Sequence, residues 1–468
     1  MTISVIAGVQ NGQVPPLEKT MSITIALSPE TMHLESGHCW IVKSADTGLD
    51  KLIKGGLTPR ITILEDGVPL TPGNSILEEI RYHGYGRYAM SSTRLYFSAS
   101  DNSNPSTNGR TYLVVAEAHE DGTPLPPPRV MHVGITGSCN MTCRICRTED
   151  AAHGNTLKDS CIEKAVRDII PTLQELRLDS AGEPTLHKPK FKRLVGEAAR
   201  HNVPVFMCTN AVLIDEEMAD FICQGTSIKR IQISIDSPEK DTLEWVRRGA
   251  NYEALLEGAR NLVEARKRHN RPDILLNFHA ALLRQNVSQL PDLIRLAHEI
   301  GIDQVSCMFG AVHSYMDMEW SVFWCQEEHN RAIDEATRVA TELGVCFRPW
   351  GRFELGADPA AEMATDPATN LCYYLSHWTY LDPHGLIRPC CISPNFELGN
   401  LNTQEFGDIW HGQAYEDLRQ TYASDNPTNP TCSKCYIRAG WNRDSYKSYF
   451  ASQLWPDVRA KLGLPEES

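Results

Sequence analysis

The sequence has no run of about 18 uncharged apolar residues, so nothing in it reads as a membrane-spanning helix. Its opening, MTISVIAGVQNGQVPPLEKT, lacks the basic start and long apolar stretch of a secretory signal. Basic residues are also in deficit. Lys and Arg number 45 against 59 Asp and Glu, a net charge of −14, which repels DNA and anionic lipid at long range and argues against a nucleic-acid-coating role. No solenoid repeat and no extended low-complexity segment is present. With 41% hydrophobic and 22% charged residues in 468, the composition is that of a globular chain with a sizeable core and two or three domains. A soluble cytoplasmic protein without nucleic-acid or membrane partners is expected.

Cysteine is what the chain has in excess. Fifteen thiols in a chain expected to meet a reducing compartment are either small core residues or metal ligands, because disulfides are disfavoured there. Their spacing separates the two cases.

Residues 1–125 read as a β-rich, sandwich-like unit: short runs such as SITIAL, CWIVK, RITIL, RLYFSAS and TYLVVAEA are divided by turn clusters. The proline-rich GTPLPPPRV then reads as a linker. From 126 to 345 short apolar strands alternate with amphipathic helical segments. Strands are predicted in VMHVGI, LQELRLD, VPVFMC, RIQISID, ILLNFHA and DQVSCMF. Six β-α repeats make an α/β fold, a partial (β/α)6 TIM-type barrel with its active-site residues at the strand C-terminal ends. Residues 346–468 break this rhythm and are expected to form a small α+β extension.

Directly after the first barrel strand lie Cys139, Cys143 and Cys146, in GSCNMTCRIC. Three thiolates on one loop supply three ligands where a 4Fe-4S cluster has four irons, which leaves one iron open. The competing reading is a zinc site completed by His132 or His153.

The spacing of CNMTCRIC resembles the CxxxCxΦC hallmark of the radical S-adenosylmethionine (radical SAM) superfamily, with Ile145 at Φ. Further elements follow in order. DSAGEPTL resembles the GGEP motif, with Ala181 in place of the first glycine, then Gly182 and Glu183. TNA at 209–211 resembles TNG and contains Asn210. ISIDS resembles the strand that reaches the SAM ribose and carboxylate, with Ser234 and Asp236, and Arg248 stands at the arginine-before-glycine place. The resemblance implies that Ala181, Gly182, Glu183, Asn210, Ser234, Asp236 and Arg248 contact SAM.

A second constellation, Cys372, Cys390, Cys432 and Cys435, starts on the arms of a predicted hairpin turning at YLDPHG and ends in TCSKC. Four thiolates close a metal site completely, as a zinc ribbon does too. Together with LGNLNTQEFGDIW, the set resembles the SPASM/twitch extension of radical SAM enzymes, which implies one auxiliary 4Fe-4S cluster.

The resemblance implies an enzyme whose open iron binds SAM. Reductive cleavage, with electrons from a flavodoxin- or ferredoxin-type reductant, gives a 5′-deoxyadenosyl radical that takes hydrogen from a substrate C–H. Oxidation or epimerisation is expected, with Cys307, near the end of the sixth strand, and Cys391 as candidate hydrogen donors. The N-terminal unit resembles accessory β-domains of saccharide-modifying enzymes, and Trp40, Tyr82, Tyr85, Tyr88 and Tyr96 are placed to stack on sugar rings or to fill a sandwich core. The expected substrate is therefore a carbohydrate, cyclitol or glycoconjugate. The alternatives are a peptide- or protein-modifying radical SAM enzyme and, from another class, a non-catalytic iron–sulfur carrier or scaffold.

Overall fold

Inward and outward residues alternate along the N-terminal strands, and that alternation folds them into two sheets over one core. The structure, a computed structural model, describes residues 22–52, 60–71, 73, 75, 80–81, 84–90, 94–117, 125–146, 154–180, 182–310, 320–349, 352–353, 355, 374–390 and 396–423. Strands β1 (Ser22–Ala26), β4 (Arg60–Glu65), β5 (Val68–Pro69) and β8 (Tyr112–Glu117) form one antiparallel sheet in the order β1-β8-β4-β5. Strands β2 (His33–Ser36), β3 (Cys39–Lys43), β6 (Tyr88–Met90) and β7 (Arg94–Phe97) form the other, in the order β2-β3-β7-β6. Ile61, Ile63, Val114 and Ala116 of the first sheet share a core with Val42, Leu95 and Phe97 of the second. This is the expected sandwich.

The chain divides between Pro126 and Pro127, inside the proline-rich stretch. Short pieces, 374–377 and 416–423, group with the N-terminal unit, and the other described residues beyond Pro127 form the second unit.

In the second unit, β9 (Val130–Val133), β10 (Glu175–Leu178), β11 (Val205–Thr209), β12 (Ile228–Ser234), β13 (Leu275–Leu282), β14 (Gln304–Phe309) and β15 (Cys346–Arg348) run parallel, side by side in chain order. Helices fill every crossover, as parallel pairing requires. In the helix Leu290–Ile300, Leu290, Leu293, Ile294, Ala297 and Ile300 are buried, a spacing of three and four that turns one face to the sheet. The six predicted strands are present. The seventh, three residues long, was too short to leave a pattern in the sequence.

The hairpin at YLDPHG is also present: β16 (Trp378–Leu381) and β17 (Leu386–Arg388) pair antiparallel, and β18 (Gly399–Asn400) follows. β16 lies parallel beside β9 and so continues the barrel sheet. A partial barrel results, running from β15 to β18. Among the described residues, no helix is long and apolar enough to cross a membrane.

Close packing fixes one glycine in this layer. The helix Tyr252–Arg268 passes over Ala211 so closely that a Cβ on Gly258 would lie 2.1 Å from the Ala211 carbonyl oxygen. Gly196, in the helix Lys188–Arg200, has nothing within 4 Å of the same point. Gly258→Ala is expected to destabilise the protein by about 2 kcal/mol or more, whereas Gly196→Ala is expected to stabilise it by about 0.5–1 kcal/mol. The urea midpoints of the two variants against the parent check this contrast.

Candidate active site

The three-cysteine loop leaves the end of β9 and is fastened on two sides. On one side Gly137 N–H donates to the Asn155 carbonyl at 2.7 Å, and the Ser138 hydroxyl donates to the Gly154 carbonyl at 2.8 Å. On the other, Thr142 N–H donates to Arg248 O and Arg144 N–H to Val246 O, both at 2.8 Å. Arg144 adds a bond from Nε to Trp245 O at 2.9 Å and lays its guanidinium over the Trp245 ring at 5.0 Å. The cysteines therefore stand on a loop with fixed ends.

The turn after β10 packs into the start of that loop. Gly182 has φ +79°, and a Cβ there would meet Thr136 O at 2.1 Å and Ser138 O at 2.6 Å, so glycine is required both for the conformation and for the approach. The next residue, Glu183, is 2% exposed. Its N–H donates to Ser138 O at 3.0 Å. Its Oε1 accepts from Thr185 N–H (3.1 Å), the Thr185 hydroxyl (2.6 Å) and the Thr209 hydroxyl (2.9 Å), while Oε2 accepts from Asn210 N–H (2.8 Å). Burial raises its pKa above the usual carboxylate value despite these donors. The Asn210 side chain continues the chain of contacts, donating to Asn140 Oδ1 at 2.8 Å and to Cys139 Sγ at 3.8 Å.

Burial pushes the Cys139 thiol up to about 11 and raises that of Cys143 as well. Thiolates here are stabilised when a metal replaces the proton, as soft ligands are on binding iron. Among the described residues, no three His, Cys, Asp or Glu side chains converge on a single metal ion. A cubane asks for something else, since each cysteine ligates a different iron. Three sulfur donors on one anchored, half-buried loop fit that group.

The structure brings Gly182, Glu183, Asn210 and the three loop cysteines together. Ser234 stands half-buried at the end of β12. Three of the candidates carry contacts that the sequence did not show. Glu183 takes three donors on Oε1 and one on Oε2, so besides being a candidate SAM contact it ties the turn to the end of β11. Asp236, another candidate SAM contact, has its side chain fully buried against Arg247, with Oδ2 to Nε at 2.7 Å, and accepts Ala281 N–H at 2.8 Å. Cys307 was a candidate hydrogen donor. It shares the helix-facing side of β14 with Val305 and with Phe309, whose ring packs on His329 of the helix Gln326–Leu343 at 5.0 Å. It therefore points away from the inner face of the sheet.

Arg248 bonds the loop itself, Nε to the Thr142 hydroxyl at 3.0 Å. The buried guanidinium beside Cys143 belongs to its neighbour Arg247, which the sequence reading passed over because the pair reads as one motif position. Cys390 follows β17 and is partly buried. Ala181, Cys372, Cys391, Cys432 and Cys435 lie outside the described residues.

This arrangement defines a parallel-barrel protein with a thiol-rich loop at the strand C-terminal ends. Comparison with known families agrees. The model of the radical SAM superfamily matches residues 133–310, and that of the SPASM iron-sulfur cluster-binding domain matches residues 372–436. The chain belongs to the radical SAM superfamily and carries a SPASM domain, which bring with them SAM and 4Fe-4S clusters. Curated relatives include PqqA peptide cyclase of Xanthomonas campestris pv. campestris, 22% identical over 311 residues, covering 64% of this chain and 77% of the relative. AdoMet-dependent heme synthase of Nitratidesulfovibrio vulgaris is 26% identical over 336 residues, covering 68% and 86%. Among solved structures, Streptococcus suis SuiB bound to S-adenosylmethionine aligns with a TM-score of 0.48 at 16% identity, covering 68% of this chain and 72% of that one.

Glu183→Gln puts an amide NH2 where donors already point, so at least one buried donor is left unpaired. A loss of about 2 kcal/mol of stability is expected, together with reduced iron retention after anaerobic reconstitution. Chemical denaturation and iron analysis read the two effects separately.

Proposed function

We propose that this radical SAM enzyme acts on a peptide or protein substrate. The observation that carries the reading is the extended match to PqqA peptide cyclases, which runs over about two thirds of this chain and 77% of those relatives. The N-terminal aromatics favour it indirectly. Tyr88 is buried and its hydroxyl donates to the Ile61 carbonyl at 3.2 Å, and Trp40 packs against the sandwich core, so neither is offered to a sugar ring. Of the other stacking candidates, Tyr85 is exposed, Tyr96 is half-buried and Tyr82 lies outside the described residues.

In this reading Cys139, Cys143 and Cys146 hold the SAM-binding cluster, while Cys372, Cys390, Cys432 and Cys435 hold the auxiliary one. Together, cluster and SAM supply a radical able to remove hydrogen from an unactivated C–H bond. The protein's own work is positional. The Gly182 turn and the Glu183 tie fix the loop, Ser234 presents a hydroxyl at the end of β12, and the barrel's inner face orients the substrate and limits water. Electrons come from a flavodoxin- or ferredoxin-type protein, and the outcome is oxidation, epimerisation or cross-linking within the peptide.

Anaerobically reconstituted protein is expected to hold about eight irons per chain, falling to about four when Cys139, Cys143 and Cys146 are all changed to alanine, with loss of 5′-deoxyadenosine formation under dithionite. Peptides translated from short reading frames beside the gene are the substrates to add. Stimulated 5′-deoxyadenosine release with a peptide product lacking two hydrogens, or with one residue inverted, supports the proposal. Stimulation by saccharides or cyclitols and by no peptide overturns it.

A further inference from the structure

The cysteine loop meets the segment after β12 through the backbone bonds of Thr142 to Arg248 and of Arg144 to Val246, both 2.8 Å. These two bonds bracket one pair of residues, Cys143 and Arg247, and set them opposite each other. The Arg247 side chain is 11% exposed, and its positive charge acts on the Cys143 sulfur opposite it. Its other partner is Asp236, whose side chain is 0% exposed: Oδ2 lies 2.7 Å from Nε, and Oδ1 accepts from a terminal guanidinium nitrogen at 3.1 Å. Asp236 is fixed in turn. Oδ1 also accepts Ala281 N–H at 2.8 Å, and its carbonyl accepts from Asn286 Nδ2 at 2.9 Å. The neighbouring arginines are engaged elsewhere, Arg144 on Trp245 and Arg248 on the Thr142 hydroxyl.

We propose that Asp236 and Arg247 form a charge couple that sets the reduction potential of the cluster on Cys139, Cys143 and Cys146, Arg247 acting through the Cys143 sulfur and Asp236 through Arg247. The inference rests on that loop being the cluster site. Reduction adds one negative charge to a cluster already ligated by three thiolates. A cation held at one of the sulfurs in a poorly solvated place favours the added electron, and a carboxylate behind it opposes part of that effect. Both are positioning residues, and the couple ties the potential to the geometry of the ends of β12 and β13.

The test is an anaerobic redox titration of the full chain followed by electron paramagnetic resonance, reading the signal that disappears in the Cys139, Cys143 and Cys146 triple alanine variant. Arg247→Met is expected to make reduction about tenfold less favourable, a downward shift of about 59 mV for one electron. Asp236→Asn, which keeps an acceptor for Ala281 N–H, is expected to shift the midpoint upward, and Arg247→Lys to fall between Arg247→Met and the parent. Opposite shifts in iron-replete protein are the signature that a purely structural pair would not give. Unchanged midpoints, or shifts in the same direction, overturn the proposal. If Arg247→Met fails to retain iron, Asp236→Asn decides alone: an upward shift supports the proposal, and no shift or a downward one overturns it. If the triple variant loses no signal, the cluster assignment itself falls and this proposal falls with it, an outcome distinguishable from the others.

Discussion

The buried carboxylate of Glu183 is the interaction on which the candidate active site depends. One side chain and its own N–H tie the turn after β10 to the end of β11 and to the first residues of the cysteine loop. A carboxylate at 2% exposure pays heavily in solvation unless it is hydrogen-bonded, and here three donors meet Oε1 and one meets Oε2. The same bonding that makes the residue tolerable in the interior makes it directional. Two donors come from Thr185 in the turn and two from Thr209 and Asn210 at the end of β11, so the glycine turn and the third strand cannot move independently. Gly182 lets the backbone come close enough for the tie to form, and Asn210 passes the constraint on to Cys139.

The parallel sheet supplies the frame through its two unlike faces. Met131, Leu176, Met207, Ile231, Phe278 and Val305 turn toward the helices and are fully buried. The inner face carries charge instead. Arg177 binds Glu175 and Asp179 and lies over the Phe206 ring at 4.2 Å, and His132 Nδ1 pairs with Asp179 at 2.7 Å while its ring stacks on Trp378. Burial alone would raise the Asp179 pKa, but Arg177 and His132 outweigh it and hold the carboxyl well below the usual range. Several inner-face groups, among them His132 Nε2, Asn277 Oδ1 and both amide atoms of Gln304, are buried without a hydrogen-bond partner among the described residues. Groups of this kind are ordinarily met by water or ligand.

Much of this was legible in the sequence, for reasons that differ by element. The six long strands showed because one face of each is uniformly apolar and the intervening helices repeat at three and four. The loop cysteines showed because their spacing is chemical rather than structural. Cys346–Arg348 did not show, since three residues carry no period. Nor did the place of Trp378–Leu381 beside β9, because pairing between strands more than 240 residues apart leaves no local trace. Asp236 and Glu183 were legible as site residues, but the protein groups that hold them were not: Arg247 and Ala281 for the first, Thr185, Thr209 and Asn210 for the second. A motif marks a side chain, whereas burial and the geometry of the donors around it decide what that side chain touches.

Cys307 and Cys208 show how little separates a core residue from one on a working face. Both are strand cysteines near C-terminal ends, and of the two only Cys307 was named a candidate from its place in the sequence. Side chains along a strand alternate between faces. Cys307 has the parity of Val305 and Phe309 and so joins the helix-packed layer. Cys208 has the parity of Phe206, whose ring lies under both Arg177 and Arg230, and so sits on the charged inner face. Burial drives its thiol pKa upward, and Asp179 adds to the shift. A thiol in that setting stays protonated at neutral pH and carries its S–H bond on the inner face of the sheet. The identity of a residue names its chemistry, and its parity within the strand decides whether that chemistry is available.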